Sequence, residues 1–193
     1  MKIFLTSIGI ILFAFLVLQV FTIKVQYNIE TYPYETVSEY DDFEIRSYEA
    51  TLFTSVKISS GKYKDVSGKG FRILAGYIFG KNEKEERISM TSPVSMSLED
   101  SMTMMFMVPK SLKKEELPKP IESKIKFKEV PAKKMAAVTF GGWANDKKIE
   151  KYKQKLIEYL IAEGITYSNN FYFFGYNSPY EIFNRKNEIL VEL

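Results

Sequence analysis

The sequence predicts an α+β domain of two strand–helix–strand–strand units, preceded by one N-terminal transmembrane helix. Three observations lead to this prediction: a long uncharged segment near the start, one helical pattern in each half of the remaining chain, and strand patterns around each helix. The two halves repeat the same order of elements at an offset of about 80 residues, which is too long for a solenoid repeat. Two copies of such a unit favour a mostly antiparallel sheet. Spacing alone also allows an α+β domain without true duplication.

The N-terminal segment, residues 3–23, has no charged residue over 21 positions. As a helix it would extend about 32 Å, close to the thickness of the hydrocarbon core of a bilayer. A cleaved signal peptide is the alternative, but the run is longer than a signal-peptide core and no small-residue cleavage site follows it. We therefore predict a membrane anchor over residues 1–24, a linker over residues 25–40 and a folded domain over residues 41–193. Basic residues around the anchor predict a single-pass protein whose domain is periplasmic or exterior.

The first unit opens with alternating apolar residues over positions 43–58. A change of phase within this run indicates a bulge or bend in one long strand. A helical pattern follows over about residues 62–79 and ends at Gly80, a residue type favoured just after a helix. Two short strands are expected after it, around residues 94–98 and 103–108.

The second unit repeats this order. Strand-like alternation over residues 125–140 leads to a second helix, for which Asn145 or Asp146 is the expected cap. Gly164 follows the end of its apolar stripe. The strands expected after this helix lie near residues 171–176 and 188–193.

Composition excludes several classes of function. The chain has no cysteine and no histidine, which removes disulfides, thiol nucleophiles, Ser-His triads and histidine metal sites. We therefore predict no catalytic residues, no metal site and no enzymatic activity. Beyond Lys24 the chain has 25 basic and 24 acidic residues, so nucleic-acid binding is not expected either.

Three motifs lead further, because each joins turn-forming residues to a strand or a helix. They are ISMTSPVSM at residues 88–96, FGGWANDKK at residues 140–148 and YNSPYEIFNRKNEI at residues 176–189. In this order and at this separation they resemble the SOUL heme-binding protein family over about residues 30–193. The resemblance implies a distorted antiparallel barrel of two units packed through two helices. It also implies non-covalent binding of heme or another tetrapyrrole in an apolar pocket.

The same resemblance implies where the ligand would bind. In the family, the first helix and the loop before the C-terminal strand are thought to flank the tetrapyrrole. The corresponding residues of this chain are Phe71, Leu74, Ala75 and Ile78 on the helix, Arg72 for a propionate, and Tyr176 and Phe183 on the loop. Because the chain has no histidine, an axial ligand to heme iron would be Met, Tyr or Lys, or would be absent.

Other interpretations of these residues stay open. The small and aromatic residues of the first helix also suit close packing against a sheet. The methionines of residues 90–107 are interpreted as core residues, and Arg185 is expected to pair with Glu188. The alternative function is an effector-binding or protein-partner-binding module of the same architecture without a tetrapyrrole. An open apolar slot beside the first helix would favour heme, whereas a closed core would favour a partner.

Overall fold

The computed structural model describes residues 29–178 and 180–193, which form nine strands, two α-helices and one short 3-10 helix. Neither described helix is long and apolar enough to cross a membrane. The predicted anchor over residues 3–23 lies outside the described residues. The elements in chain order are β1 (Tyr34–Glu39), β2 (Glu44–Tyr48), β3 (Thr51–Lys57), α1 (Tyr63–Ile78), β4 (Val94–Ser97), β5 (Thr103–Met107), the 3-10 helix (Lys114–Glu116), β6 (Ile125–Val130), β7 (Lys133–Gly141), α2 (Asp146–Ala162), β8 (Phe171–Gly175) and β9 (Lys186–Glu192).

The described strands form one sheet in the order β1-β2-β7-β9-β8-β4-β5-β3-β6, and all neighbours are antiparallel. The predicted α+β class with an antiparallel sheet and two helices is confirmed. The predicted barrel is only partly correct, because the sheet is a curled half-barrel with β1 and β6 at its edges. From the central β4–β8 pair outward, the strands follow in the order β4-β5-β3-β6 on one side and β8-β9-β7-β2 on the other. Corresponding strands of the two units therefore occupy corresponding positions. The strand that opens each unit pairs with the other unit, β2 with β7 and β6 with β3.

Two predictions about the start of the domain are corrected. The single bent strand expected over residues 43–58 is two strands, because β2 pairs with β7 whereas β3 pairs with β5 and β6. Alternation in the sequence shows which side chains share a face, but it does not show which strand is the neighbour. The segment 25–40, predicted as a linker, contains β1, which pairs with β2 from Tyr34 opposite Tyr48 onward. Tyr32 of the same segment is buried in a core.

The sheet buries apolar side chains on both faces. Both helices pack on one face, here called the helix face, and the opposite face, here called the far face, has its own smaller core. Neighbouring strand residues point to opposite faces, so Phe173 and Ile189 lie on the helix face, whereas Phe174 and Leu190 lie on the far face. This explains why β8 and residues 189–191 of β9 have apolar residues at consecutive positions.

Both helices end as predicted. Gly80 follows α1 with a φ of +106°, and Gly164 follows α2 with a φ of +67°. Glycine adopts these left-handed angles at no steric cost, and it commonly ends helices for that reason. Asn145 is the cap of α2, since its side chain accepts a hydrogen bond from the backbone N–H of Lys148 at 2.9 Å.

Close contact between α1 and the sheet depends on one small residue. A Cβ atom added at Gly70 would lie 3.1 Å from Sδ of Met104 on β5. Met104 and Met105 are both buried, one on each face of the sheet. The interpretation of the methionine-rich segment as core is therefore confirmed for this strand.

Candidate functional site

A cavity of about 290 Å³ opens beside the first two turns of α1. The helix forms one wall, β4, β5 and β8 form the floor, and the segments that follow β7 and precede β9 form the rim. Its lining is mainly apolar, with aromatic and methionine side chains from Phe71, Met96, Met104, Trp143 and Phe173. Polar groups enter from Ser67, Asn177, Arg185 and Asn187. This combination of an apolar wall and a few polar groups is typical of small-molecule sites.

The helix wall is formed by residues spaced three and four positions apart, which lie on one side of a helix. Tyr63, Ser67 and Phe71 contribute side chains, and Gly68 leaves a gap between them. A Cβ atom added at Gly68 would meet no other atom within 4 Å. Glycine inside a helix costs up to about 1 kcal/mol relative to alanine. Gly68 therefore leaves free space beside the cavity at some cost in helix stability, and an added methyl group would not fill this space.

Arg185 brings a positive charge to the rim. Its guanidinium carbon lies 3.9 Å from the centroid of the Trp143 ring. Its Nη1 atom donates hydrogen bonds to the backbone oxygens of Ser178 at 2.9 Å and Glu181 at 2.5 Å. Its Nε atom is buried and has no hydrogen-bond partner among the described residues. Burial lowers the pKa of Arg185 from its usual value, but an arginine stays protonated at neutral pH. The rim therefore carries a positive charge, and one of its donors is enclosed without a partner in the described part of the chain.

Three polar contacts hold the two rim segments in place. The Nδ2 atom of Asn187 donates to the backbone oxygen of Gly142 at 2.8 Å, one residue before Trp143. The Nζ atom of Lys148 donates to the oxygen of Gly141 at 2.7 Å. The Oδ1 atom of Asn177 accepts from the backbone N–H of Lys186 at 2.6 Å. The positions of Trp143 and Arg185 are thus set by the buried amide of Asn187 and by the start of β9.

The site residues that the resemblance implied on the first helix do not all line the cavity. Phe71 lines the cavity. Leu74, Ala75 and Ile78 are buried in the core of the helix face instead. The cavity opens along the early turns of α1, whereas the later turns pack directly against the sheet. Arg72 is exposed and borders a different groove, near the C-terminal end of α1.

The two residues implied on the loop also lie apart from the cavity lining. The hydroxyl of Tyr176 donates to Oε2 of Glu188 at 2.6 Å, on the far face of the sheet. Phe183 is exposed. Trp143 and Arg185 of the lining were not selected from the sequence, although both belong to motifs that carry the resemblance. The usable signals were that Trp143 is the single tryptophan of the chain and that Arg185 is the first basic residue of its loop.

A buried ion pair on the far face joins Glu188 to a partner other than the one predicted from the sequence. Glu188 was expected to pair with Arg185, but its carboxylate accepts two hydrogen bonds from Arg46 of β2, both at 3.0 Å. Arg46 is 2% exposed and Glu188 is fully buried. Alternation along β9 explains the correction, because Glu188 points to the far face whereas Arg185 lies at the rim on the other side. Burial opposes ionisation of Glu188, but the Arg46 hydrogen bonds hold its pKa below the usual value.

The cavity on the far face beside Tyr32 is too small for an organic ligand. It measures about 20 Å³, which is roughly the space of one water molecule. The ring of Tyr32 fills this region and contacts the rings of Tyr48 and Phe53. Burial raises the pKa of Tyr32 to about 12, so the hydroxyl stays neutral. Among the described residues, no group of three or more acidic side chains is arranged to hold a metal ion.

A second ion pair on the far face predicts a pH dependence. Burial would raise the pKa of Glu192, but hydrogen bonds from Lys133, Tyr172 and Asn170 lower it from 4.5 to about 2. A carboxyl with a lowered pKa in the folded state stabilises the fold above its unfolded pKa, and this stabilisation is lost as the pH falls. We therefore expect stability to fall from pH 4.5 towards pH 2. Urea denaturation over this range should show a shallower decline for Glu192→Gln, and an unchanged slope would contradict the assignment.

Comparison with known proteins adds an independent observation. A family model described as SOUL heme-binding protein matches residues 29–192. Human heme-binding protein 2 is 30% identical over 156 residues, which cover 76% of this chain and 76% of that protein. Heme-binding protein 1 of Xenopus laevis is 26% identical over 156 residues, or 76% of this chain and 81% of that protein. Among solved structures, the EcmrR C-terminal domain has a TM-score of 0.61 at 11% identity, covering 82% of this chain and 96% of that chain, which shows similarity of fold alone.

Proposed function

The chain belongs to the SOUL heme-binding protein family, and we propose that it binds heme or another tetrapyrrole non-covalently, without catalysis, in the cavity beside α1. The observation that carries this proposal is the position of Arg185 beside an aromatic wall. A tetrapyrrole is a flat apolar ring with carboxylate side chains. Its site therefore needs an apolar surface and a cation at one edge.

The residues of the cavity suit these two parts of the ligand. Phe71 and Trp143 offer ring faces, on which a flat conjugated ligand stacks. Arg185 offers a positive charge for a propionate. The volume of about 290 Å³ lies at the lower limit for ligand cavities. The cavity would therefore take one edge of the macrocycle, and the rest would lie over the exposed side of Trp143.

Iron ligation contributes little in this proposal. The chain has no histidine, and the lining offers Met96, Met104 and Tyr63 as the remaining candidates. Burial raises the pKa of Tyr63 above its usual value, which disfavours the tyrosinate that binds ferric iron. Both methionines are core residues. The protein would hold heme through the porphyrin ring and the propionate carboxylates, for storage or transfer of the heme.

We also propose that the protein is anchored in a membrane. The uncharged segment of residues 3–23 supports a single-pass membrane anchor. The distribution of basic residues around it supports a domain on the periplasmic or exterior side. The balance of 25 basic and 24 acidic residues beyond Lys24 supports function without nucleic acid. Protease protection of the domain in sealed membrane vesicles tests this orientation.

Blocking the cavity at Gly68 tests the proposed binding site. Residues 29–193 contain both cores, so they are suitable for a hemin titration followed at the Soret band. We expect saturation near one equivalent for the unaltered protein. Gly68→Trp should lower the affinity at least about tenfold, or ~1.4 kcal/mol, because its side chain enters the gap in the helix wall. Gly68→Ala is the matched control, and its affinity should stay within about threefold of the unaltered protein.

Metal-free protoporphyrin separates ring binding from iron ligation. We expect its affinity, followed by its own fluorescence, to lie within about threefold of that of hemin. Much tighter binding of hemin would identify an axial ligand and contradict the proposed role of the iron. Equal binding to Gly68→Trp and the unaltered protein would place the ligand outside this cavity. Absence of binding to either compound would make the partner-binding alternative the better account of the same fold.

A further inference from the structure

An exposed apolar patch borders the mouth of the cavity. Ten large apolar side chains are exposed among the described residues, and four of them lie on the two segments that form the rim of the cavity. They are Trp143, Tyr180, Ile182 and Phe183, which we call the loop patch. Single exposed apolar residues are ordinary on protein surfaces, but a cluster of them marks an interaction surface.

The two segments of the loop patch form one surface because Arg185 joins them. Its guanidinium stacks on the ring of Trp143 and donates to the backbone oxygens of Ser178 and Glu181. The contact on Trp143 fixes the segment before α2, and the two hydrogen bonds fix the segment before β9. The loop patch is therefore built into the fold around the half-buried side chain of Arg185.

The side chains of the loop patch have the chemistry of a bilayer interface. Tryptophan and tyrosine are enriched at the level of lipid headgroups, where one end of the ring is apolar and the other is hydrated. Phenylalanine and isoleucine bury their apolar area just below that level. The four exposed residues supply two side chains of each kind.

The charge around the loop patch favours an anionic surface. Residues 62–69 lie beside residues 146–151, since the backbone N–H of Tyr63 donates to Oδ1 of Asp146 at 2.6 Å. These two segments and residues 180–185 together carry seven basic and three acidic side chains that are exposed or half-exposed, whereas Glu181 is buried. Lys186 is not among them, because its Nζ atom pairs with Glu188 on the far face. The chain beyond Lys24 has 25 basic and 24 acidic residues, so the excess of positive charge is local. Basic residues near an anionic membrane attract its headgroups.

From these observations we propose that the loop patch docks onto a bilayer containing anionic phospholipids, with the mouth of the cavity facing the lipid. Lysine and arginine side chains around the patch contact the headgroups, and Trp143 and Phe183 enter the interface. The docking does not depend on a bound tetrapyrrole. An apolar ligand dissolved in the bilayer would, however, reach the cavity without crossing water.

Trp143 provides a local measurement of this docking, because it is the single tryptophan of the chain. The full chain is reconstituted into vesicles of equal parts phosphatidylcholine and phosphatidylserine, with brominated acyl chains as quenchers of tryptophan fluorescence. We expect strong quenching by the brominated lipid and protection of Trp143 from acrylamide in the water. In vesicles of phosphatidylcholine alone, the quenching should fall at least about twofold, since the electrostatic attraction is lost.

Two matched variants locate the contact. Phe183 and Phe79 are similarly exposed, at 56% and 58%, but Phe79 lies at the other end of α1. Phe183→Ser should reduce the quenching at least about twofold, because docking scales with buried apolar area, whereas Phe79→Ser should leave it unchanged. Quenching by acrylamide alone, or equal effects of the two variants, would overturn the proposal. Protection from acrylamide that persists in detergent without lipid would assign the patch to a protein contact and would also overturn it.

Discussion

Replacing Glu188 with leucine is expected to lower the free energy of unfolding by about 3–5 kcal/mol. The side chain is fully buried and accepts two hydrogen bonds from Arg46, which is itself 2% exposed. It also accepts hydrogen bonds from Tyr176 and Thr139. Removing the carboxylate leaves the buried arginine with only Glu44, which is 37% exposed, as an ionic partner among the residues that the structure describes. The loss of the buried partner is costly for that reason.

A double variant separates the ion pair from simple packing. Arg46→Met together with Glu188→Leu should be at least about 2 kcal/mol more stable than Glu188→Leu alone, because no buried charge remains unpaired. The other partners, Glu44 and Lys186, are 37% and 41% exposed and can be hydrated. The exposed pair of Lys110 and Glu49 is the control, and Glu49→Leu should change stability by less than about 1 kcal/mol. Urea denaturation of residues 29–193 measures all of these. Additive effects of the Arg46 and Glu188 substitutions would show that the two charges are not coupled.

Leu74→Ala is expected to affect mainly stability and Phe71→Ala mainly hemin binding, although both residues face inward from α1. Leu74 is fully buried in the core of the helix face, so its truncation should cost about 2–5 kcal/mol of stability. The folded fraction should retain its affinity for hemin within about threefold. Phe71 is half-buried and lines the cavity, so its truncation should weaken hemin binding at least about tenfold, or ~1.4 kcal/mol.

The comparison is made by measuring urea denaturation and hemin titration on the same preparations. Phe71→Ala should lose less stability than Leu74→Ala, because a partly exposed ring leaves a smaller cavity when it is removed. If Leu74→Ala weakened hemin binding as strongly as Phe71→Ala, the ligand would lie deeper along α1, where the resemblance had implied it. Equal stability losses would show that Phe71 belongs to the core and does not form a binding surface.

Much of the fold could be predicted from local patterns. The two helices end at Gly80 and Gly164 as expected, because glycine adopts the left-handed conformation that ends a helix. The strands that follow each helix were placed to within two residues, since alternation and turn residues are read over short distances. The exchange of the first strands between the two units was not predictable, because it depends on partners far apart in the chain.

The candidate site, like the fold, could be predicted only in part from the sequence. The first helix was identified as one wall through the resemblance, and Phe71 does line the cavity. Trp143 and Arg185 were passed over, because the contact between them joins two segments far apart in the chain. The partner of Glu188 was assigned wrongly for a related reason, since Arg185 is near in sequence whereas Arg46 is near in space.

The sequence by itself determined the class of the domain, its helices and most of its strands, the absence of cysteine and histidine, and the family to which the chain belongs. These depend on composition, on motifs and on interactions within a few residues. Only the tertiary structure decided which residues of α1 face a cavity, which cation lies beside it and which buried charges pair. Those features depend on how strands from opposite ends of the chain meet in the sheet, and local periodicity carries no information about that meeting.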